Sequence, residues 1–357
     1  MASQTFFKDT ITINNGETVE AQAPVIISAS RATDIPAFYA PWFMQRLRSG
    51  YTVWHNPFNQ RPVYVSFKKC KVVVFWTKNP KPLIPYLKAL DEMGLHYYFH
   101  FTLNDYEAEG FEPNVPSLSE RIKTFRELSI RIGKEKVIWR FDPVIVTPAL
   151  QPGIILERIQ QTGNLLKEYT NRFVFSFVDI DNYRKVQRNL IRESLHFSKK
   201  TIAKAELTAE QMNEIAEGLM KIRVNWLQEG YDINFASCAE KIDLEQYGIN
   251  HNRCIDSELM KRIFQEDKDL VHFLNYGTFP EGKEEPIPSA NPLPLGELLL
   301  TKKFFSAEKI LPAEKLKDKG QRKTCGCMVS KDIGMYNTCR HFCVYCYANN
   351  SKETSGT

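Results

Sequence analysis

Short apolar segments alternate with longer amphipathic segments along most of the chain. The apolar segments are rich in Val, Ile, Phe, Tyr and Trp and are predicted as strands; they are Val25–Ser28, Val63–Phe67, Val72–Trp76, Tyr97–Leu103, Val137–Phe141, Phe173–Val178 and Ile233–Ala236. The longer segments have helical periodicity; they are Ala37–Ser49, Pro82–Met93, Ser117–Ile132, Ile155–Tyr169 and Thr208–Gln228.

This alternation predicts an α/β fold with a parallel sheet. About six strand–helix units favour a full or partial (βα) barrel, with an open doubly wound sheet as the alternative. We expect a barrel-like domain over residues 1–275, a Pro-rich linker and lysine-rich helical segment over 276–320, and a cysteine-rich, cluster-binding tail over 321–357. The lysine-rich segment, Glu297–Lys319, is predicted as a solvated surface helix, and a functional lid is the alternative.

Composition places the chain among soluble globular proteins, with 43% hydrophobic and 25% charged residues. The net charge of +5 is spread out, so it permits contact with nucleic acid without predicting it. The sequence has no apolar run of the roughly 18 residues that a membrane span needs, and its polar first residues do not resemble a secretory signal. We therefore expect a cytoplasmic protein with no membrane contact, in which clustered cysteines favour metal binding or catalysis over disulfides.

Polar side chains follow the predicted strands at their carboxyl ends, where parallel α/β folds place their function. Candidate catalytic residues at these ends are Arg31, Asp34, Arg140 and Asp142, and candidate cofactor-binding residues are Thr77, Lys78 and Asn79. Tyr98, His100 and Thr102 share one face of their strand because side chains alternate with a period of two. Together these positions predict a polar cavity; a paired structural arginine and a hydrogen-bonded core histidine are the alternative for single residues.

Five of the eight cysteines fall within Cys325–Cys346. Three of them, Cys339, Cys343 and Cys346, have the spacing C-x₃-C-x₂-C, with the aromatic Tyr345 before the last. Cysteine thiolates are the usual ligands of a [4Fe–4S] cluster, normally four of them. A loop that supplies three leaves one iron open, in the way that a catalytic zinc keeps an open position.

The other candidate metal ligands are Cys325, Cys327, Cys238 and Cys254. These four thiols would suit a second iron–sulfur cluster or a zinc ion. The alternative is that Cys238 and Cys254 are ordinary buried residues.

The C-x₃-C-x₂-C loop resembles the cluster loop of the radical S-adenosylmethionine superfamily. His341 and the Tyr347-Ala348 pair make it most similar to the spore photoproduct lyase and DNA-repair-photolyase-like branch, and the whole chain also resembles an uncharacterised bacterial family with such C-terminal cysteines. The resemblance implies a [4Fe–4S] cluster on Cys339, Cys343 and Cys346, with Tyr345 beside the cofactor. It also implies an enzyme that cleaves S-adenosylmethionine reductively to a 5′-deoxyadenosyl radical. An electron donor such as flavodoxin or ferredoxin is expected, and nucleic acid is one candidate substrate.

Two features depart from that superfamily. In the superfamily the cluster loop comes after the first barrel strand, whereas here it comes after the whole predicted barrel. The superfamily also uses a Gly-Gly segment to hold the amino group of the methionine, and this sequence contains no Gly-Gly pair. We therefore expect either a circularly permuted order or a tail that folds over the barrel mouth. Two other hypotheses stay open: an electron-transfer protein in which every cluster has four cysteine ligands, and a binding protein with a structural zinc that uses His341.

Overall fold

A four-stranded sheet is formed near the start of the chain in the computed structural model, which describes residues 6–194, 196–202, 205–238, 240, 242–280, 316–318, 320–321 and 325–349. Its strands are β1 (Phe7–Thr12), β2 (Thr18–Ala23), β4 (Tyr51–His55) and β5 (Pro62–Ser66), in the order β1-β2-β5-β4. The predicted strand Val63–Phe67 belongs to this sheet, and not to the parallel one.

The second sheet has eight strands, all paired in parallel, in the order β11-β10-β9-β8-β7-β6-β3-β12. They are β3 (Ile26–Ala29), β6 (Val72–Thr77), β7 (His96–Thr102), β8 (Val137–Val144), β9 (Arg172–Phe177), β10 (Asn234–Ser237), β11 (Asn250–His251) and β12 (Lys331–Asp332). From β3 to β11 the spatial order follows the chain. Only β12 departs from this rule, because it returns from the far end of the sequence to pair with β3.

Nine α-helices lie within the described residues: α1 (Ile35–Phe38), α2 (Ala40–Arg48), α3 (Leu87–Glu92), α4 (Leu118–Ile132), α5 (Pro152–Leu166), α6 (Arg184–Glu193), α7 (Ala209–Gln228), α8 (Ser257–Ile263) and α9 (Lys268–Tyr276). Ser117 and Thr208 begin α4 and α7 with capping boxes, as expected for Thr208. Within this part of the chain, no helix combines the length and the apolar character that crossing a bilayer requires.

The two faces of the parallel sheet pack against different elements. On one face, Phe99, Trp139 and Phe173 join a large buried cluster with residues of α2, α4, α5 and α7. On the other face, Tyr98 and Ile138 pack with residues of α8 and α9. Because strand side chains alternate, residues further along this second face include His100, Thr102, Arg140 and Ser176, so the predicted polar positions do share a face.

The prediction of an α/β fold with a parallel sheet is confirmed, and all seven predicted strands are present with small shifts at their ends. The predicted helix Ala37–Ser49 is instead two helices: α1 ends at Phe38, and Pro41 at the start of α2 lacks the N–H that a continuous helix would need. The helix predicted over Pro82–Met93 opens as a 3-10 turn at Ile84–Tyr86 before α3. Residues 281–315, which hold most of the expected linker and lysine-rich helix, lie outside the described residues.

Candidate functional site

A cavity of about 480 Å³ lies at the carboxyl ends of the parallel strands. Its walls include nearly every candidate residue predicted from the sequence: Arg31, Asp34, Thr77, Lys78, Arg140, Asp142, Tyr345, Cys238, Cys254, Cys325, Cys327, Cys339, Cys343 and Cys346. Asn79 is not part of this lining; its side-chain oxygen accepts from Lys81 N at 3.2 Å in the turn after β6. The structure therefore brings into one cavity residues that are as much as 315 positions apart in sequence (346 minus 31).

The cysteine loop begins a few residues after β12 and is closed on itself. Asn337 N donates to Ala348 O at 3.0 Å, and the Asn349 amide donates to the carbonyl of Cys339. From outside the loop, the Asn189 side chain of α6 donates to Cys346 O at 3.2 Å. Backbone groups at both ends of the loop are therefore satisfied, and the cysteines are held in a compact turn.

His341, between the first two cysteines of the loop, is buried and joins the loop to the start of α1 and to the segment before α4. Its Nε2 lies 2.9 Å from Asp34 Oδ2, and its Nδ1 lies 3.2 Å from Asn114 O. The same Asp34 carboxylate accepts from Lys78 N at 2.7 Å and caps α1 through Ala37 N at 3.0 Å. Asp34, predicted as a catalytic residue, is thus occupied in positioning the loop.

Tyr345 inserts its hydroxyl into a buried polar cluster under the loop. The hydroxyl donates to Glu112 and lies 2.9 Å from Lys78 Nζ and 3.0 Å from Asn104 Nδ2. Glu112 is paired with Lys78 at 2.7 Å and with Arg121 at 3.3 Å. Burial alone would raise the pKa of Glu112, but the charges of Lys78 and Arg121 outweigh it and hold this pKa below its usual value. Glu112 is therefore an ionised anchor beneath the cysteines.

Arg140 is a paired arginine, which is the alternative that the sequence offered to an arginine facing a polar cavity. Its Nε donates to Asp142 Oδ2 at 3.0 Å, and its Nη2 donates to the same oxygen. Ser176 donates to the other oxygen of Asp142. The remaining nitrogen, Arg140 Nη1, lies 3.3 Å from the sulfur of Cys254 and so faces the cavity.

Arg31 retains donors that nothing in the described part of the chain uses. Its Nη2 is buried without a hydrogen-bond partner, as is Thr33 Oγ1 in the same wall. Its Nη1 lies 3.6 Å from Asp318, and its guanidinium lies over the Trp76 ring at 5.2 Å from the centroid. A buried donor without a partner costs free energy, so this position favours an anionic ligand.

Three residues of the site are not among the candidates named from the sequence, and Asp332 of β12 is the most important. It accepts from Ser28 Oγ at 2.9 Å, from Ser30 Oγ at 2.7 Å and from Arg31 N at 2.7 Å. Glu112 and Asn104 are the others. All three act through partners remote in the sequence, and only the position of Asn104 after a predicted strand is a signal that pattern alone can detect.

Burial determines the protonation of the three loop thiols. It raises the pKa of Cys339 to about 12, and it also raises the pKa values of Cys343 and Cys346. Without a metal these thiols are therefore neutral at physiological pH, and metal binding would release their protons. Within the described ranges, no three Cys, His, Asp or Glu side chains stand in position to hold a single metal ion.

A family comparison covers almost the whole structure. The domain of unknown function DUF1848 matches residues 26–348, from β3 through the cysteine loop. The chain belongs to the DUF1848 family. This match confirms the expected resemblance to an uncharacterised family. It includes parts of all three predicted segments, 1–275, 276–320 and 321–357. Comparisons with curated proteins and with solved structures found no match.

Proposed function

We propose that this DUF1848 protein is an iron–sulfur enzyme of the radical S-adenosylmethionine type, acting on a substrate still to be identified. The observation that supports it best is the position of β12. This strand lies parallel to β3 at the edge of the sheet and leads into the cysteine loop, whose three thiols line the cavity at the strand ends. In the superfamily that the loop resembles, the cluster loop likewise follows a barrel strand.

The proposal includes a circularly permuted barrel. Counted from β12, the sheet continues through β3, β6, β7, β8 and β9 with each strand beside the next. This is the serial order of a (βα) barrel, with the cluster loop after its first strand. The strand that comes first in space would then come last in the sequence.

The donor set fits the cluster. Cys339, Cys343 and Cys346 supply three soft thiolate ligands, and a [4Fe–4S] cluster held by three cysteines keeps one iron open. When bound, the cluster and S-adenosylmethionine would supply a one-electron reductive cleavage of the sulfonium. The chain's part is to present the three thiols, whose protons would be released on binding, and the buried anchors His341 and Tyr345 hold the loop that carries them.

Arg31 is the residue best placed to bind the carboxylate of S-adenosylmethionine. It lines the cavity with an unused buried donor, whereas Lys78 is committed to Glu112 and Arg140 to Asp142. An ion pair and hydrogen bond from Arg31 would orient the methionine group without the missing Gly-Gly segment.

The test is electron paramagnetic resonance on anaerobically reconstituted, reduced protein, with and without S-adenosylmethionine. A [4Fe–4S]⁺ signal that changes on addition would support an open iron that binds the cofactor. A cluster signal that does not respond would favour the electron-transfer hypothesis, and zinc without iron would favour the structural-zinc hypothesis.

A cysteine variant tests whether the 339–346 loop binds the cluster. Cys343→Ala should abolish the signal that responds to S-adenosylmethionine, while circular dichroism stays native. Cys70→Ala is the matched control, because Cys70 is equally buried but lies in the large apolar cluster outside the cavity lining. Loss of the signal in both variants would contradict the assignment.

A further inference from the structure

The four cavity cysteines outside the loop come together from three separate segments. Cys238 follows β10, Cys254 precedes α8, and Cys325 and Cys327 precede β12. The sulfurs of Cys238 and Cys254 are 3.6 Å apart, and Cys254 N donates to the sulfur of Cys327 at 3.1 Å. The thiol of Cys327 is close enough to interact with the thiols of Cys254 and Cys325. The four thiols therefore form one continuous group, which we call the four-thiol cluster.

This cluster has polar surroundings that an ordinary buried cysteine lacks. Arg140 Nη1 and Asn252 Nδ2 each lie 3.3 Å from the sulfur of Cys254. Arg31 is close enough to interact electrostatically with Cys254 and Cys327. A free buried cysteine usually packs as a small hydrophobic residue, as Cys70 does here. N–H groups directed at sulfur instead suit a thiolate bound to metal.

Hydrogen bonds to the backbone position the segments that carry these cysteines. The carbonyl of Cys254 accepts from Tyr98 OH at 2.6 Å and lies 2.8 Å from His100 Nε2. Met328 N donates to Ile255 O at 3.0 Å, which ties the segment of Cys325 and Cys327 to that of Cys254. The buried His100 of the predicted polar face therefore positions a cysteine.

We propose that Cys238, Cys254, Cys325 and Cys327 become the four thiolate ligands of a second metal centre, a zinc ion or a [4Fe–4S] cluster, in the wall of the same cavity. As they stand they do not surround a single ion, so binding would require their side chains to turn toward a common point. Either centre carries a net charge of two minus with four thiolates. The guanidinium groups of Arg140 and Arg31 would offset that charge. This inference goes beyond the proposed function and does not depend on it, since it uses no residue of the 339–346 loop as a ligand.

The experiment uses the full chain with Cys339, Cys343 and Cys346 all replaced by Ala, purified without oxygen. Metal and sulfide analysis should find about one zinc, or about four irons and four sulfides, per chain. Zinc without sulfide and iron with sulfide distinguish the two centres, and either supports the proposal. Adding Cys254→Ser should remove this metal, whereas adding Cys70→Ser should leave it in place.

Alkylation followed by mass spectrometry measures the accessibility of the same four sulfurs. It does not depend on the stability of any variant. In the unsubstituted chain, these four cysteines should resist alkylation until the metal is removed, by a chelator for zinc or by a chelator with an oxidant for a cluster. Alkylation at equal rates before and after removal, or a disulfide between Cys238 and Cys254 in the untreated protein, would overturn the proposal. In the unsubstituted chain, a second metal on these four cysteines without any cluster on the 339–346 loop would overturn only the proposed function.

Discussion

Arg31 and Arg140 face the same cavity, but they differ in what their guanidinium groups still have to bind. Arg140 is satisfied by Asp142 and by the sulfur of Cys254. Arg31 keeps a buried nitrogen without a partner in the described residues. The sequence indicates that a mid-strand arginine must be paired or face a wet cavity, and Arg140 does both. The sequence does not indicate which arginine keeps an unpaired N–H group, because that depends on where the fold places Asp318 and Asp332, which lie about 300 positions later in the chain.

Arg31→Gln should therefore weaken the binding of S-adenosylmethionine to the reconstituted protein. Losing a charged hydrogen bond of about 1.5–3 kcal/mol corresponds to about a tenfold to hundredfold rise in Kd. Equilibrium dialysis measures it directly, and Arg61→Gln, at an exposed position before β5, is the control. An unchanged Kd would assign the carboxylate to another donor.

Glu112→Gln should destabilise the protein strongly, because Lys78 and Arg121 would keep their charges in a buried site without a counter-charge. Breaking a buried ion pair in this way costs about 3–5 kcal/mol. Urea unfolding at pH 7 measures the loss. The control is Glu92→Gln, which removes an exposed pair with Lys88 and should cost no more than about 0.5 kcal/mol.

The same variant has a pH signature. The folded pKa of Glu112 lies below its unfolded value of 4.5, so its ionised form stabilises the fold above that value and the contribution is lost as the pH falls through the folded pKa. The difference in unfolding free energy between wild type and Glu112→Gln should be largest at neutral pH and should shrink below about pH 4. A difference that is constant over this range would mean that the charge of Glu112 is not what stabilises the cluster.

At the level of elements, the docking of β12 depends on a close approach. A Cβ at Gly334 would lie 1.9 Å from Ser30 Oγ and 3.1 Å from Thr33 Cγ2. Gly334→Ala should therefore push β12 away from β3, cost about 1–3 kcal/mol and lower the iron content of the reconstituted protein. Gly153→Ala in α5 has nothing within 4 Å of the new Cβ and should be neutral or slightly stabilising. Equal iron content in the two variants would show that loop position does not depend on this contact.

The elements also show where pattern-based prediction succeeds. The strands β6, β7, β8 and β9 are long apolar runs, so their periodicity identifies them and the polar residues after them. In contrast, β12 has only two residues, and a charged pair, Lys331-Asp332, carries no strand pattern. Its place in the sheet is decided by the hydrogen bonds of Asp332 to residues about 300 positions earlier. The cysteine spacing can therefore be recognised in the sequence, but the strand that positions the cysteines at the cavity cannot.

For the whole molecule, the question is whether the C-terminal segment is a part of the sheet or a separate cover. One contact makes it a part of the sheet, and two more join it to the loop between β7 and α4. β12 pairs with β3, Val344 N donates to Phe111 O at 3.0 Å, and Asn114 Nδ2 donates to Arg340 O at 2.9 Å. Such contacts raise the free energy of local opening of the loop, because opening would have to break each of them and also expose His341 and Tyr345.

Hydrogen–deuterium exchange distinguishes these two behaviours. If the segment is a part of the sheet, amides of residues 343–346 should exchange with a free energy of opening close to that of β7, because both open only in global unfolding. Fast exchange in the loop, with β7 still protected, would identify a cover that opens independently. Gly334→Ala should convert the first pattern into the second by loosening β12 while β7 stays protected. A cysteine loop that unfolds only with the sheet would present its three thiols to the cavity at all times, and this permanence is what a bound cluster requires.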